Sequence, residues 1–369
     1  MIRRYQHWTR SVVFLVCLLA AGAAWAAWQE SQPTAPQPEF ARLVSEFSEP
    51  GGYFDTDNLV SNERSYLHVM PQLERSGVRG GVYIGVGPDQ NFSYIARTRP
   101  SVAFLVDIRR NNLLLHLLFK ALFASSRNRL EFLCLLTGRP VPADLERWRN
   151  AGIDELVAYV DAAEPSGTPE LRRRLRETIR RFAVPLSAED LATMDRFHLA
   201  FVDAGLSLQF RSFGRPPRSY YPTYRELLLE TDRTGRKLNY LSSEDDFQFL
   251  RSLQTRDRVI PVVGDLAGTH AVAAIGSWMR QHNERLSAFY VSNVENYLFR
   301  DGSFDQYMKN LNGLPHSDRS VVIRSIFGAA PLPESVPGYY STSAIQTIDA
   351  LVANCGTSRC RGYFDILKK

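Results

Sequence analysis

Several catalytic signatures are missing from this 369-residue chain. It contains no Gly-x-Ser-x-Gly nucleophile elbow, no P-loop and no His-Glu-x-x-His zinc motif. Its histidines do not cluster along the sequence, and no second cysteine pair stands at the spacing of zinc ligands. The sequence therefore lacks the signatures of common hydrolases, nucleotide triphosphatases and zinc enzymes, and we expect no metal site.

A large excess of charge is also missing. The formal net charge is +5, and three of the positive charges are the leading arginines Arg3, Arg4 and Arg10. Residues 1–26 contain no acid, so the rest of the chain is near +2. A general polyanion-binding role loses its main support, and we expect no nucleic-acid partner.

Cysteine is scarce, with four residues in the chain. Cys17 lies in an apolar run near the N-terminus, and Cys134 lies in a second apolar run that we expect to be core. Cys355 and Cys360 are spaced to close a small disulfide loop in an oxidising compartment. The alternative is a pair of reduced surface thiols.

The N-terminus has the pattern of a leader. Positive residues precede an uncharged apolar stretch, residues 11–27, that contains Ala24-Trp25-Ala26. We therefore predict that residues 1–26 are a signal peptide or a membrane anchor. Cleavage is favoured because about 17 apolar residues barely span a bilayer core. Either form directs the rest of the chain to the periplasm, and an uncleaved segment would contact the membrane.

The remainder divides into a linker and one folded domain. Residues 27–50 are predicted to be a linker, because residues 28–38 are rich in Gln, Pro and Ser. Residues 51–369 are predicted to form a single α/β domain, interrupted by a helical insertion at about residues 112–256.

The start of that domain indicates one βαβ unit. Gly81–Gly85 is predicted to be a strand, Asn91–Arg97 a helix, and the apolar run Val102–Asp107 a buried parallel strand. After the insertion, strands are predicted at residues 258–265, 287–292 and 321–326, helices at residues 269–282, 304–311 and 342–353, and a final run at residues 362–367. This alternation predicts a Rossmann-like, mainly parallel sheet, with the insertion capping the carboxyl ends of its strands.

The turn between the first two strands is a candidate ligand site. Gly85-Val86-Gly87 allows a ligand to approach the backbone closely. Asp107 ends the next strand 20 residues after Gly87, a spacing at which a carboxylate can reach the hydroxyls of a ribose. The alternative is a tight turn followed by a helix-capping aspartate.

The details of the turn favour a nucleoside without phosphates. Gln90 stands where a dinucleotide fingerprint has its third glycine, and Pro88 donates no N–H. Asp89 places a carboxylate at the helix start, where it would oppose a pyrophosphate, although it also suits an ordinary N-cap. A nucleoside that carries a cation fits better, and S-adenosylmethionine is such a ligand.

The segments 81–92 and 106–111 resemble the first two motifs of class I S-adenosylmethionine-dependent methyltransferases. More narrowly, the chain resembles an uncharacterised bacterial methyltransferase-like subgroup, also through residues 58–63, 240–245, 264–268 and 290–295. The resemblance implies cofactor-binding positions at Gly85, Gly87, Asp89, Asn91, Asp107 and Asp265, the last at the end of the fourth-strand equivalent. The chain departs from the pattern at Tyr83, where an acid is common, and at Asp89, which replaces a glycine.

Methyl transfer needs mainly proximity and alignment, so it leaves no fixed catalytic signature. The candidates near a substrate follow strand ends or precede the first strand. The weak catalytic candidates are Asn293, Glu295 and Asn296, and the substrate candidates are Asn58, Asn62, Glu63, Arg109 and Arg110. Their alternative roles are turn and helix-cap chemistry for the former set, and helix capping or pairing with acids for the latter.

One predicted helix is strongly basic. Six arginines surround the apolar stripe Leu171–Phe182, namely Arg172, Arg173, Arg174, Arg176, Arg180 and Arg181. This pattern is typical of a membrane-surface helix or of a solvated face on a helix that packs against the core.

Two functions follow from these patterns. The first is a methyltransferase-like protein of unknown substrate that uses S-adenosylmethionine. The alternative is a non-catalytic exported binding or scaffold protein that retains the Rossmann-like fold. The leader favours the alternative because S-adenosylmethionine is made in the cytosol, whereas the turn and Asp107 favour a nucleoside pocket.

The export prediction can be tested with a fused reporter. A reporter enzyme that is active only outside the cytoplasm, attached after Lys369, is expected to be active. Deleting residues 1–26 should abolish that activity, because the deletion removes the signal that directs export. Activity from a reporter that works only in the cytoplasm would overturn the prediction.

Overall fold

The computed structural model describes residues 38–166, 169–216, 218–328, 332–356 and 359–367. The predicted leader, including Cys17 and the apolar stretch, lies outside these residues, as do residues 27–37 of the predicted linker. Among the residues described, no helix has both the length and the apolar character needed to cross a membrane.

One six-stranded sheet forms the centre of the fold. Its strands are β1 (Val82–Gly85), β2 (Val102–Asp107), β3 (Val259–Val263), β4 (Leu286–Ser292), β5 (His316–Phe327) and β6 (Ser341–Thr347). The spatial order is β3-β2-β1-β4-β5-β6, in which only β6 runs antiparallel to its neighbour. The protein is therefore an α/β protein with a mainly parallel sheet, as predicted, and the strand order is compatible with a Rossmann-like fold.

Fourteen α-helices occur among the described residues. They are α1 (Glu39–Phe47), α2 (Met70–Arg75), α3 (Gln90–Thr98), α4 (Arg110–Ser125), α5 (Arg129–Thr137), α6 (Ile153–Ala162), α7 (Pro169–Arg181), α8 (Ala188–Ala204), α9 (Tyr224–Leu229), α10 (Glu244–Thr255), α11 (Ala271–Gln281), α12 (Val294–Arg300), α13 (Phe304–Gly313) and α14 (Ile348–Cys355). Helices α4 to α10 lie between β2 and β3, and we call residues 110–255 the helical insertion.

The first three strands of the sheet have no polar face. Every residue of β1 and β3 is buried, and β2 is buried up to its last residue, Asp107. Strands of this kind must be covered on both faces, which the surrounding helices provide. In these three strands the one charged side chain, Asp107, lies at a carboxyl end, and the candidate site is built around it.

The predicted linker extended too far into the fold. Residues 39–47 form α1, and Phe40, Leu43, Val44 and Phe47 are buried in the core. The error has a physical cause, because the Gln/Pro/Ser composition ends at residue 38 and an amphipathic pattern begins there.

Two further predictions were wrong. Residues 341–347 form the antiparallel strand β6 rather than the first half of a helix, and α14 begins only at Ile348. The strand that ends before Asp265 is the third in chain order and lies at the sheet edge beside β2, so it is not a fourth-strand equivalent. The insertion lies between β2 and β3. An analysis that expects one helix between successive parallel strands therefore does not identify β3 as the third strand.

At the C-terminal end of the chain, Cys355 and Cys360 form a disulfide with a sulfur–sulfur distance of 1.98 Å. Cys134 is a free thiol buried in α5.

Candidate functional site

The candidate site lies where the strand order reverses. Chain connections leave β1 towards β2 on one side, while β4 pairs with β1 on the other. At such a switch point the loops diverge, and α/β sheets open a crevice outside the carboxyl ends of their strands. We call this region, at the ends of β1, β2 and β4, the switch-point crevice.

The turn after β1 is held by one side chain. Asn91, which is fully buried, donates through Nδ2 to the carbonyl oxygens of Val86 and Pro88, each at 2.8 Å. Its Oδ1 accepts a hydrogen bond of 2.8 Å from the Tyr83 hydroxyl. Asn91 therefore fixes the turn from inside, and it is not exposed to a ligand.

The two glycines of the turn serve different purposes. A Cβ on Gly85 would lie 1.9 Å from Asn91 Oδ1, so this glycine is required by packing within the chain. Gly87 has a φ of +81° and therefore needs the conformational freedom of glycine. The nearest atom to a Cβ at Gly87 would be Nδ2 of Asn58, at 3.5 Å. Gly87 and Asn58 thus lie side by side at the turn.

The end of β2 carries an ion pair. Asp107 accepts hydrogen bonds from Arg109 through Nε at 2.9 Å and Nη2 at 2.8 Å, and both side chains are about 10% exposed. Arg109 also donates to Oγ1 of Thr56 at 3.0 Å, and its guanidinium lies 5.8 Å from the ring centre of Phe54. Asp107 therefore lies beside the turn, as the sequence predicted, but its two oxygens already hold a cation.

Helix α4 carries two buried polar side chains, and one of them, His116, contacts the same turn. His116 Nε2 lies 2.9 Å from the carbonyl oxygen of Gly87, to which it must donate. Burial lowers the pKa of His116 to about 4, so the ring is neutral and Nδ1 is an acceptor. Neither this Nδ1 nor the amide of Asn112, one helical turn earlier, has a hydrogen-bond partner among the described residues. Buried polar groups are seldom left unpaired, so these two side chains have hydrogen-bonding capacity that a water molecule or a polar ligand could fill.

A buried carboxyl group lies at the end of β4. Glu63 is 2% exposed and accepts hydrogen bonds from Gln90 at 3.0 Å and from the hydroxyls of Tyr290 and Ser292. Burial raises the pKa of Glu63. Ser292 has a φ of +52°, and such backbone strain is concentrated at functional sites.

The segment before the first strand thus crosses the crevice. Phe54 packs edge-on against Tyr297 at a centroid distance of 5.1 Å, Asn58 lies at the turn, and Glu63 lies at β4. Asn62 is half-buried beside Glu63. Asn58 has a φ of +49°, a second strained position in the same segment. The structure therefore brings the predicted N-terminal candidates to the crevice.

Asp89 is turned away from the open side of the turn. It is 4% exposed and accepts hydrogen bonds from the hydroxyls of Tyr224 at 2.8 Å and Tyr240 at 3.0 Å. It occupies the N-cap position of α3, but its side chain makes no capping bond. Burial raises its pKa to about 6. A ligand contact through this carboxyl would require the insertion to move.

Glu295 is a structural residue rather than a substrate contact. Its carboxylate is fully buried and pairs with Arg324, whose Nε lies at 2.6 Å. Tyr307 donates to the same carboxylate at 3.3 Å. The pair ties α12 to β5, and the sequence could not show it because the two residues are 29 positions apart.

Other predicted residues make local contacts. Arg110 pairs with Asp190 of α8 at 2.8 Å, which confirms the alternative of pairing with an acid. Asp265 is exposed, and its Oδ1 accepts a hydrogen bond from the backbone N–H of Ala267 at 2.9 Å. Asn293 and Asn296 are half-buried at the start of α12, where the N–H of Asn296 donates to the carbonyl of Asn293.

Sequence reasoning missed several residues of the site. Tyr290 lay inside a predicted strand, and Gln90 was noticed only because it replaces a glycine. Asn112 and His116 carried a detectable signal, since they are polar residues within an otherwise apolar helical stretch. Thr56 carried none.

The fold and the crevice define an α/β protein with a candidate ligand site at its switch point. The model of a domain of unknown function, DUF7790, matches residues 58–362, and the chain belongs to this family. No curated protein matches the chain at a significant level.

The buried Glu295–Arg324 pair predicts a large stability effect. Glu295→Gln is expected to cost about 3–5 kcal/mol of unfolding free energy, because it leaves the Arg324 charge buried without a counter-charge. The measurement is urea unfolding. Glu177→Gln, which breaks an exposed pair with Arg173, is the control and should cost less than about 1 kcal/mol. Similar losses in the two variants would contradict this assignment.

The raised pKa of Asp89 predicts a pH dependence. The folded state keeps the proton up to about pH 6, whereas the unfolded chain releases it near 3.8. The unfolded chain therefore binds fewer protons between these values, and stability falls as the pH rises through them. Relative to Asp89→Asn, the wild type should lose up to about 3 kcal/mol between pH 4 and pH 7. The measurement is the free energy of unfolding of both proteins at each pH, with circular dichroism to confirm that they are folded. If the difference between the two free energies is the same at every pH, the prediction is wrong.

Proposed function

We propose that the protein is a methyltransferase-like protein that binds S-adenosylmethionine in the switch-point crevice. The observation that carries the proposal is the position of the Gly87 turn beside Asp107, at the ends of the adjacent parallel strands β1 and β2. Backbone can approach a ligand at Gly87, while the carboxylate can accept from ribose hydroxyls.

The surrounding residues fit a nucleoside better than a nucleotide. Pro88 offers no N–H at the start of α3, so a phosphate would find one hydrogen-bond donor fewer there. The unpartnered groups of Asn112 and His116 offer one donor and two acceptors to a polar ring system.

S-adenosylmethionine would supply the methyl group on its sulfonium centre. The chain would hold the methyl donor and the acceptor in position and alignment, and this accounts for much of the lowering of the activation barrier in such transfers. The rigid turn held by Asn91 would fix the nucleoside. Glu63, a buried carboxyl group with a raised pKa at the end of β4, is suited to hold or accept a proton.

The second candidate is a non-catalytic exported binding or scaffold protein. One observation favours it: Arg109 donates to both oxygens of Asp107, the residue that the first proposal assigns to the ribose. The predicted export to the periplasm points the same way.

Thermal unfolding of the full chain with S-adenosylmethionine or its demethylated product separates the two proposals. A ligand at about 100 times its dissociation constant should stabilise the fold by about 2.7 kcal/mol. Asp107→Ala should abolish this shift because it removes the ribose acceptor. Asp161→Ala, which breaks an exposed aspartate–arginine pair with Arg225, is the matched control and should keep it.

Each other outcome has a defined meaning. No shift for the wild type at millimolar ligand would favour the scaffold proposal. A shift that survives Asp107→Ala would refute the ribose contact while leaving ligand binding intact.

A further inference from the structure

One stretch of the chain lies across the carboxyl ends of three parallel strands. The N–H of Glu49 donates to the carbonyl oxygen of the last residue of β3 at 3.0 Å, and the N–H of Gly52 donates to that of the residue after β2 at 2.6 Å. Asn58 then lies beside Gly87, which follows β1. We call residues 49–58 the strap. It crosses the three strands in their spatial order, β3-β2-β1, at the edge where the candidate site lies.

The strap holds the guanidinium of Arg109. Nη1 of Arg109 donates to Oγ1 of Thr56 at 3.0 Å and to the carbonyl oxygen of Thr56 at 3.3 Å. The ring of Phe54 lies 5.8 Å from the same guanidinium. Arg109 thus contacts the strap and Asp107 at the same time. Because the side chains of Arg109 and Asp107 are each 10% exposed, water screens their attraction only weakly.

Arg109 uses most of the acceptor capacity of Asp107. Oδ1 of Asp107 accepts from the backbone N–H of Arg109 at 3.0 Å and from its Nε at 2.9 Å, and Oδ2 accepts from its Nη2 at 2.8 Å. An ionised carboxylate has about four acceptor positions, so about one remains. Two adjacent ribose hydroxyls that both donate to Asp107 need two positions. A ribose can therefore be held by both hydroxyls only after Arg109 withdraws.

The contacts that hold the middle of the strap lie at the surface. Two backbone hydrogen bonds, of 2.8 and 3.0 Å, join the strap to residues 211–213 of the helical insertion. Asp55 pairs with Arg215 at 2.6 Å, but the two side chains are 35% and 57% exposed, so the pair contributes little. By contrast, Phe47 and Leu59, on either side of the strap, are buried in the core. The strap can therefore open locally while its two ends stay anchored.

We propose that the strap is an autoinhibitory element of the switch-point crevice. In the closed state it keeps Arg109 on Asp107. When it opens, Arg109 loses its contacts with Thr56 and Phe54, and water weakens the exposed ion pair, so that Asp107 becomes available to a ribose. The partner of the strap, residues 211–213, belongs to the helical insertion, so a movement of the insertion would open it. The inference rests on the proposed function for its ligand and adds a regulation of the same site.

The test uses the full chain and the variant Thr56→Val, which removes the hydroxyl acceptor but keeps a β-branched side chain. The first readout needs no ligand: it is the rate at which phenylglyoxal modifies Arg109, measured by mass spectrometry of the peptides. Arg109 is 9% exposed in the closed state, so its modification reports opening. Loss of one hydrogen bond to a charged group should raise this rate roughly ten-fold. The second readout is the dissociation constant of S-adenosylmethionine, which should fall by about the same factor because the open fraction rises.

Two variants are controls. Thr56→Ser keeps the hydroxyl oxygen and should keep the wild-type values of both readouts. Thr255→Val makes the same chemical change at an exposed residue of α10, where the hydroxyl donates to a backbone carbonyl 2.9 Å away, and it should also behave like the wild type. Circular dichroism would confirm that each variant is folded.

The two readouts distinguish the strap from the proposed function. If Arg109 reacts no faster in Thr56→Val than in the wild type, or equally fast in Thr56→Val and Thr56→Ser, the strap does not hold Arg109 and the inference is wrong. Faster modification with an unchanged dissociation constant would overturn autoinhibition. If modification is faster but no protein binds S-adenosylmethionine, the proposed function fails, whereas the hold of the strap on Arg109 is supported.

Discussion

The hydrogen bonds of the Asn91 amide hold the candidate site together. This side chain binds the carbonyls of Val86 and Pro88 and accepts from Tyr83, all within the buried interior. Because a broken bond there would strand several buried polar groups, the turn has one stable shape. Position 85 must be glycine because a Cβ there would collide with that amide. Asn91 occupies the buried side of the turn, so a ligand could approach the turn only from its other side, at Gly87.

Three separate parts of the chain then meet around this fixed turn. The segment before β1 brings Asn58 and Glu63, the helical insertion brings His116 and the tyrosines that hold Asp89, and β4 brings Tyr290. Most polar groups at this place are paired with each other. The Asn112 amide, one nitrogen of His116 and the side-chain oxygen of Gln90 have no hydrogen-bond partner among the residues that the structure describes. A polar ligand would gain the most hydrogen bonds at these unpartnered atoms.

Periodicity predicted the central fold well because it reports burial. The continuous apolar run of β2 and the Gly-containing turn before it identified the parallel unit, and β4 was placed within one residue. The failures have equally plain causes. The short pattern of α1 followed a linker-like composition, and β6 resembled a helix because a strand and a helix follow each other without a break. The insertion delayed β3 by about 150 residues.

The sequence alone determined the parallel α/β class, the turn at Gly85–Gly87 and the neighbouring Asp107, because local patterns of burial and glycine specify each of them. Only the tertiary structure decided which charged groups are free. Asp107 meets Arg109, Glu295 meets Arg324, and Asp89 meets two tyrosines from the insertion. The pairing of Glu295 with Arg324, and of Asp89 with its tyrosines, depends on how distant segments pack, and no local pattern encodes that distance.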